Sequence, residues 1–571
     1  MGTTKNKNQR QKQALVRILI MGAILLCVNV LASYFHSGID LTKEKRFTLT
    51  DPTIKLLKDM KEVAVIDVYL KGKFPAELQR MQETVRERLS SFKDIAGSKI
   101  IYRFIDPIEG KNEKEQEQVA RELMQKGISY MPLSNRDEDE EGYTMKICFP
   151  YALVHYNGKE MPILLLENPP GKTPEQKISY AEANLEYKFA HALNEMNRRD
   201  EARLAYIIGN DEELGVRTMD MLTTLPHFYR LDTVNLSRSV QISLAYDAII
   251  IAQPTTPFTG PEKLKIDQYI MKGGHVLWLV NTLKASLDSL INSPQFIAVE
   301  YGTNLDDILY KYGVRVNNDL IEDMQNIPLP RTVNGGSLEM LPWVYSPKLN
   351  PIADHPIVKN MDFVKAGFSN SIDTIRSAGI KKTILLQSSK YSRTSRSPVR
   401  VSLTMMNYPL KNEMFNKPYQ PVAVLLEGKF HSAYQGILAP EFIKYMDSVH
   451  QKFKPVCDSE NSMIVVSAGE IFSNDYTTKD GMLPMGYYRF TGDFFANKDF
   501  LLNCLEYLTD HSGILEARSK EVKLRMLDNG RAKEEKATWQ FVNVAIPIFI
   551  VLVFASAYFF FRKRRYEIRQ K

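Results

Sequence analysis

Apolar positions along the chain follow three rhythms, and each predicts a different kind of element. Two blocks carry no charge at all: Ile18–Phe35, eighteen residues, and Trp539–Phe561, twenty-three residues. At a rise of about 1.5 Å per residue both reach across a hydrocarbon core of roughly 30 Å, so two membrane-spanning helices are expected. Trp539 and Tyr558 lie towards the edges of the second block, and Pro547 sits inside it, where a transmembrane helix tolerates proline. Between the blocks, short β-rich runs alternate with apolar stripes at three-to-four spacing. Val63–Leu70 and Lys99–Ile105 read as strands, and between them Leu78, Met81, Val85, Leu89 and Phe92 mark one face of a helix over about 75–95. A charged helix over about 112–126 follows. Then come strands at Tyr143–Cys148, Tyr151–Tyr156 and Met161–Glu167, with Asn157-Gly158 as the hairpin turn between the last two. A helix carrying Leu185, Phe189, Leu193 and Met196 on one face closes this unit, and Asp51-Pro52 predicts a further helix ahead of it, with Asp51 as N-cap.

The order βαβα–ββα is that of a thioredoxin-like unit, here without a redox C-x-x-C. A second unit runs from about Ala202 to Asn318. Strand Arg203–Ile208 ends in Gly209-Asn210-Asp211, which is expected to lead into a helix. Strand Asp247–Ala252, helix Pro261–Lys272, the Gly273-Gly274 stop, strand His275–Val280, helix Leu305–Tyr312 and strand Val314–Asn317 follow. Near-continuous apolar strands alternating with amphipathic helices predict a parallel, doubly wound sheet. The fold class is therefore α/β, with several extracytoplasmic units between two transmembrane helices. The expected segments are a basic tail over 1–17, a span over 18–35, the N-terminal α/β unit over 46–200 and the doubly wound unit over 201–318. A mixed, less regular α/β stretch covers 319–515, with strands at Thr383–Gln387, Val422–Leu426 and Met463–Val466. A juxtamembrane helix over 516–538, amphipathic at Arg518–Leu527, leads to the span 539–561 and a basic tail over 562–571.

Composition sharpens the membrane reading. The 571 residues are 44% hydrophobic and 25% charged, which excludes a wholly disordered chain, and the length calls for more than one core. The net charge of +7 is concentrated in the two tails, which together carry +10 and leave the body at −3. A mildly acidic body argues against nucleic acid as a partner. Lys/Arg clusters before the first span and after the second place both flanks on the cytoplasmic face, with residues 37–538 displayed on the other side. The long apolar block and the absence of an A-x-A site favour an uncleaved anchor over a signal peptide. Cys148, Cys457 and Cys504 are widely separated and odd in number, and read as small buried hydrophobes.

Catalytic signatures are scarce. Gly171-Lys172-Thr173 resembles the tail of a phosphate-binding loop, but Leu166 stands where that loop needs its first glycine, and Pro169-Pro170 remove two donors. There is no G-x-S-x-G and no H-E-x-x-H, and the nine histidines are scattered, so no catalytic residue, metal ligand or cofactor is assigned. Asn210, Asp211, Glu212 and Glu213 follow a strand at the place where doubly wound sheets bind ligands. They form the candidate ligand or partner loop, and a helix cap explains Asn210 or Asp211 equally well. The acidic run Asp137–Glu141 reads as a solvated loop, and Tyr391–Pro398 as a binding loop or an exposed connection.

An ordered set of motifs resembles the gliding-motility-associated GldG family. They are Arg46–Thr50, Asp67–Pro75, Lys265–Trp278, His355–Lys359, Ser371–Thr374, Ser397–Ser402, Glu427–Phe430, Phe495–Thr509 and Ala517–Arg525, and they span nearly the whole chain. The resemblance implies an auxiliary, substrate-binding-like membrane subunit of a bacterial ABC transporter. Its partners would be a polytopic ABC permease, a cytoplasmic ABC ATPase and cell-envelope components. The implied setting is the bacterial inner membrane, two-pass, with both termini cytoplasmic and the bulk periplasmic. It also implies a middle domain similar to the class I glutamine-amidotransferase and flavodoxin-like folds, here without a Cys/His pair at an elbow and so expected to be non-enzymatic. Where the family has Asp-Gly-Asp ahead of Asn-Asp, this chain has Ala468-Gly-Glu470 ahead of Asn474-Asp475, which counts against a metal there. The competing expectations are an envelope hydrolase built on the doubly wound domain and a static envelope scaffold.

Overall fold

A computed structural model describes residues 16, 20–24, 27, 48–72, 74–128, 130–136, 143–166, 173–198, 201–332, 338–448, 451–477, 481–510, 512–519 and 535–567. It divides the chain into a body, Met1–Val522, and a separate C-terminal unit, Lys523–Lys571. The body begins with α1 (Asp51–Asp59), whose N-cap is Thr50 rather than the expected Asp51, with Pro52 in the first turn. Next come β1 (Ala64–Val68), α2 (Ala76–Ala96), β2 (Ile100–Phe104) and α3 (Glu113–Gln125), the last opened by an Asn112/Glu115 capping box. A hairpin over 131–136 and 143–148, then β3 (Tyr151–Tyr156), β4 (Lys159–Leu164) and α4 (Pro174–Asn197) follow. The sheet order is β2-β1-β3-β4, with β1 parallel to β2 and the other pairs antiparallel. The β3–β4 turn is Asn157-Gly158, φ 51° and 73°, the doubly positive geometry that selects Asn-Gly. β4 starts and ends earlier than the expected Met161–Glu167, because the two-residue turn fixes its register. Every residue of the α2 stripe is buried, Leu78 at 5% exposure and the other four at 0%.

The second sheet is built from β5 (Arg203–Ile208), β6 (Arg230–Asn235), β7 (Ala248–Ala252), β8 (His275–Leu279), β9 (Lys348–Pro351), β10 (Val364–Lys365), β11 (Ile380–Gln387), β12 (Pro421–Gly428) and β13 (Asn461–Val466). Its spatial order is β10-β9-β11-β12-β13-β8-β7-β5-β6. From β13 to β6 every pair is parallel; from β13 to β10 every pair is antiparallel. Four antiparallel strands from the 319–515 stretch thus extend the doubly wound sheet across residue 318, and β13 from that stretch completes its parallel half. Between these strands lie α5 (Met219–Thr224), α6 (Gly260–Met271), α7 (Asp306–Tyr312) and α8 (Pro440–Ser448), and α9 (Asn497–Thr509) follows the last of them.

Alternation along the central strands separates two cores, as a sheet buried on both faces requires. Leu204, Tyr206, Ile250, Leu277 and Ile464 pack with Phe500, Leu501 and Leu505 of α9. Ala205, Ile207, Ile249, Trp278 and Val465 pack with Ile266, Tyr269 and Ile270 of α6 and with Ile308 and Tyr312 of α7.

Three sequence expectations are corrected. Gly209-Asn210-Asp211 does not open a helix; the chain stays irregular until a 3-10 turn at Val216–Thr218 and the short α5. Residues 314–316 do not join the parallel sheet but pair antiparallel with 372–374. Most of Tyr391–Pro398 is strand, since Ser392–Arg396 pairs with Asp319–Asp323 and buries Ser392. Of the helix expected at 518–527, Arg518 and Ser519 lie in a 3-10 turn, Ile514–Ser519, and the rest lies outside the described residues. Residues 520–534, the Asp137–Glu141 run, Gly171-Lys172 and most of the expected first span, 18–35, lie outside the described residues. Cys148, Cys457 and Cys504 are buried free thiols, and burial pushes Cys148 up to about 12.

The C-terminal unit contains α10, Lys536–Glu567. Its Thr538–Arg564 stretch of 27 residues is apolar enough to cross a membrane and, at about 1.5 Å per residue, roughly 40 Å long.

Candidate functional site

The chain enters the parallel half at β5, moves to β6 on one side and then to β7 on the other. The strand order therefore reverses between β5 and β7, the point where open α/β sheets leave a crevice beyond the carboxyl ends of their strands. A polar cleft of about 250 Å³ opens there. It is framed by Asp211 and Glu213 after β5, Gln253 after β7, Asn281 after β8 and Glu470 after β13, with Arg217, Asp288 and Tyr301 at its margin.

The backbone at this edge is held in uncommon conformations. Gly209 lies at φ 132°, and Asp211 and Gln253 adopt φ 56° and 51°. Non-glycine residues with such angles cluster at ligand sites, where surrounding contacts over-determine them. Those contacts are present. The Glu213 N–H donates to Ala252 O at 3.2 Å and the Thr255 N–H to Asn210 O at 3.0 Å, lacing the two loops together. The Gln253 N–H donates to Leu279 O at 2.7 Å, and its amide Nε2 donates to Ser473 Oγ at 3.0 Å. Gln253 thus occupies the tight turn after a central strand, the position at which a nucleophile elbow would present its attacking group; a carboxamide is no nucleophile.

The four residues of the predicted loop divide into two pairs. Asp211 and Glu213 line the cleft. Asn210 and Glu212 point inwards, 3% and 8% exposed. The Asn210 N–H donates to Glu212 Oε2 at 2.8 Å, and the Asn210 amide donates to Pro257 O at 3.2 Å. Burial raises the Glu212 carboxyl above the usual range. Asn210 and Glu212 therefore shape the loop, and Asp211 and Glu213 face the cleft.

Sequence reading missed Arg217, Gln253, Asn281, Asp288 and Tyr301, because each belongs to a different loop and no spacing connects them. Glu470 was visible only as a departure from a family motif. Asn474, from the same motif, is structural: its amide donates to Val216 O at 2.9 Å, and its Oδ1 accepts from the Asp220 N–H at 3.0 Å. Arg217 pairs with Asp288, leaving Asp211 and Glu213, joined by Glu470 once it ionises, to set an acidic field that disfavours phosphate. Among the described residues no group of three or more His, Cys, Asp or Glu side chains is arranged to hold a metal ion.

Glu470 titrates at about 7, because burial raises it more than Arg217 and Lys365 lower it, with Asp288 and Asp475 adding to the rise. A carboxyl whose folded value lies above its unfolded one destabilises the fold once ionised. Stability therefore falls as pH rises from about 4.5 to about 7, by on the order of 3 kcal/mol. Glu470→Gln is expected to raise Tm by a few degrees at pH 8 and to leave it unchanged at pH 4.5. Thermal melts at both values check this, and a lower Tm at pH 8 would show that Arg217 and Lys365 stabilise the ionised form.

Comparison with known proteins adds the family. Residues 201–504 match the model of a family described as an ABC-type uncharacterized transport system, and residues 43–155 match a domain of unknown function. An uncharacterized protein of Borreliella burgdorferi (strain ATCC 35210 / DSM 4680 / CIP 102532 / B31) is 21% identical over 572 residues, 98% of this chain and 99% of that one. A solved structure titled mmIFT52 N-terminal domain aligns with 54% of this chain and 97% of its own, at 13% identity and a TM-score of 0.30.

Proposed function

Since the chain belongs to the auxiliary family of an ABC-type uncharacterized transport system, we propose that it is a non-enzymatic, membrane-held subunit that presents a ligand cleft to a transporter. The family match over 201–504 carries this reading, because those residues supply the whole nine-stranded sheet and the cleft at its switch point. A small polar ligand, neutral or cationic, suits a cleft of about 250 Å³ with Asp211, Glu213 and Glu470 on its walls. The elbow position held by Gln253 supports binding rather than hydrolysis.

The finer picture follows the GldG-like motifs. A polytopic permease and a cytoplasmic ATPase are the expected partners, and α10 supplies one anchor in the inner membrane. A second anchor at 18–35 would place both termini in the cytoplasm and the body in the periplasm. The β2-β1-β3-β4 order supports the thioredoxin-like reading of the N-terminal unit, and the parallel half of the second sheet supports a flavodoxin-like one. Participation in gliding motility belongs to this same proposal.

Affinity purification of the tagged full chain from its native membrane in mild detergent is expected to recover a polytopic permease and an ABC ATPase, with vanadate-sensitive ATP hydrolysis. Recovery of the chain with envelope proteins alone, and no ATPase, would overturn the proposal.

A further inference from the structure

A second cavity, of about 600 Å³, lies between β4, α4, the segment after α5, α9 and Arg518. It falls within the range typical of small-molecule sites. Its wall is apolar along Met161, Ile163, Leu164, Ala192, Phe228 and Leu502. Its other side gathers Lys188, His191, His227, Lys498 and Arg518 with Glu160, Asp499 and Glu506; Lys498 Nζ pairs with Asp220 at 3.3 Å, Lys188 Nζ donates to Leu164 O at 2.7 Å and Arg518 Nη1 to Asn503 Oδ1 at 2.7 Å.

The three carboxylates are already engaged. Glu160 Oε2 accepts from Lys126 Nζ at 2.8 Å. Glu506 takes His191 Nδ1 at 3.0 Å and the Tyr187 hydroxyl. Asp499 is partnered as well. His191 spends Nδ1 on Glu506, and its Nε2 has no hydrogen-bond partner among the described residues. Asn184, 2% exposed, also lines the cavity; its buried Oδ1 is an acceptor without a partner, open to a donor such as water, and takes no part in holding an anion. An apolar wall leading to one spare imidazole donor suits a molecule with one anionic end.

We propose that this cavity binds an amphipathic carboxylate, its apolar chain along β4, Phe228 and Leu502 and its carboxylate at His191. The site is separate from the switch-point cleft, and its occupant need not be the transported molecule. A carboxylate accepts from the one donor the fold leaves over at His191, whereas a cationic amine would find each lining carboxylate already engaged.

The test uses the full chain in lipid nanodiscs with 11-(dansylamino)undecanoic acid as probe, and its methyl ester as control. Saturable, one-site binding in the micromolar range is expected, with the ester at least tenfold weaker. Leu502→Trp and Met161→Trp, which narrow the cavity from two different elements, should each weaken the acid at least tenfold. If one of them fails to fold by circular dichroism, the other decides. His191→Gln should weaken the acid about tenfold and leave the ester unchanged. Three results would each overturn the proposal: no saturable signal above empty nanodiscs, an ester that binds as tightly as the acid, or wall variants that bind the acid like the native chain. None of these results bears on recovery of the ATPase.

Discussion

Glu506→Ala is expected to lower Tm by roughly 5 °C or more at pH 7 and to expose the boundary between α4 and α9 to protease. Glu506 is 3% exposed and accepts from His191 Nδ1 at 3.0 Å and from the Tyr187 hydroxyl. Around it Arg518 lies over the Tyr187 ring, 5.0 Å from its centroid, and donates to Asn503 Oδ1 at 2.7 Å. Arg198 Nη2 reaches Thr509 O at 3.1 Å. These contacts tie α4 of the N-terminal unit to α9 of the large sheet. Removing the carboxylate strands a half-buried imidazolium and a buried phenol, a loss of about 3 kcal/mol, the lower end for broken buried pairs. Glu506→Gln keeps an acceptor and should cost about half as much.

The pH dependence of that loss follows from His191. Burial alone would lower its pKa, but the Glu506 charge and hydrogen bond, with Glu195 and Asp510 behind them, outweigh burial and hold it at about 9. A histidine raised in this way contributes stability that is fully present below about 6.5 and is lost as pH rises through about 9. The gap between native and Glu506→Ala chains should therefore be widest near pH 6 and narrow by pH 10. Melting curves at pH 6, 8 and 10 measure it. Equal Tm values at pH 6 would show that the pair carries no net stability.

Local rhythm made much of the fold legible, and non-local pairing hid the rest. The α2 stripe, the Asn157-Gly158 turn and apolar runs such as Ala248–Ala252 are signals that a few neighbouring residues carry by themselves. β6 reads Arg-Leu-Asp-Thr-Val-Asn and lies at the sheet's edge; with little apolar pattern to betray it, it was missed. The stretch after residue 318 looked irregular for a different reason. Its strands β9 to β13 are separated by long connections, and their membership of the large sheet depends on partners up to about 190 residues away, such as Val276 beside Met463. The same limit applied to the cleft. Asp211 and Glu213 were found because they follow a recognisable strand, whereas Gln253, Asn281 and Glu470 needed the strand order before their convergence had any meaning.

Asp267 shows what holds those distant halves together, and Asp267→Ala is the second substitution expected to act strongly. Asp267 lies on α6, is 0% exposed and accepts hydrogen bonds from two other segments and its own neighbour. Its donors are Ser432 Oγ at 2.7 Å, the Ala433 N–H at 2.8 Å, the Tyr312 hydroxyl at 3.0 Å and Gln268 Nε2 at 3.0 Å. Gln268 in turn holds Lys454, accepting from its N–H at 2.8 Å and donating to its carbonyl at 3.0 Å. Burial raises the Asp267 carboxyl above the usual range, against the pull of these donors. Truncation to alanine leaves several buried donors without an acceptor, each costing about 1–3 kcal/mol when it cannot find water. The expected total is about 4 kcal/mol. Asp267→Asn keeps one acceptor oxygen and should lose about half of that. The measurement is a thermal melt paired with limited proteolysis: cleavage should appear first between 429 and 460, where the loops that Asp267 and Gln268 anchor come free. A native-like melt would mean that Ser432, Ala433 and Tyr312 find other acceptors, and that apolar packing alone joins the two stretches of the sheet.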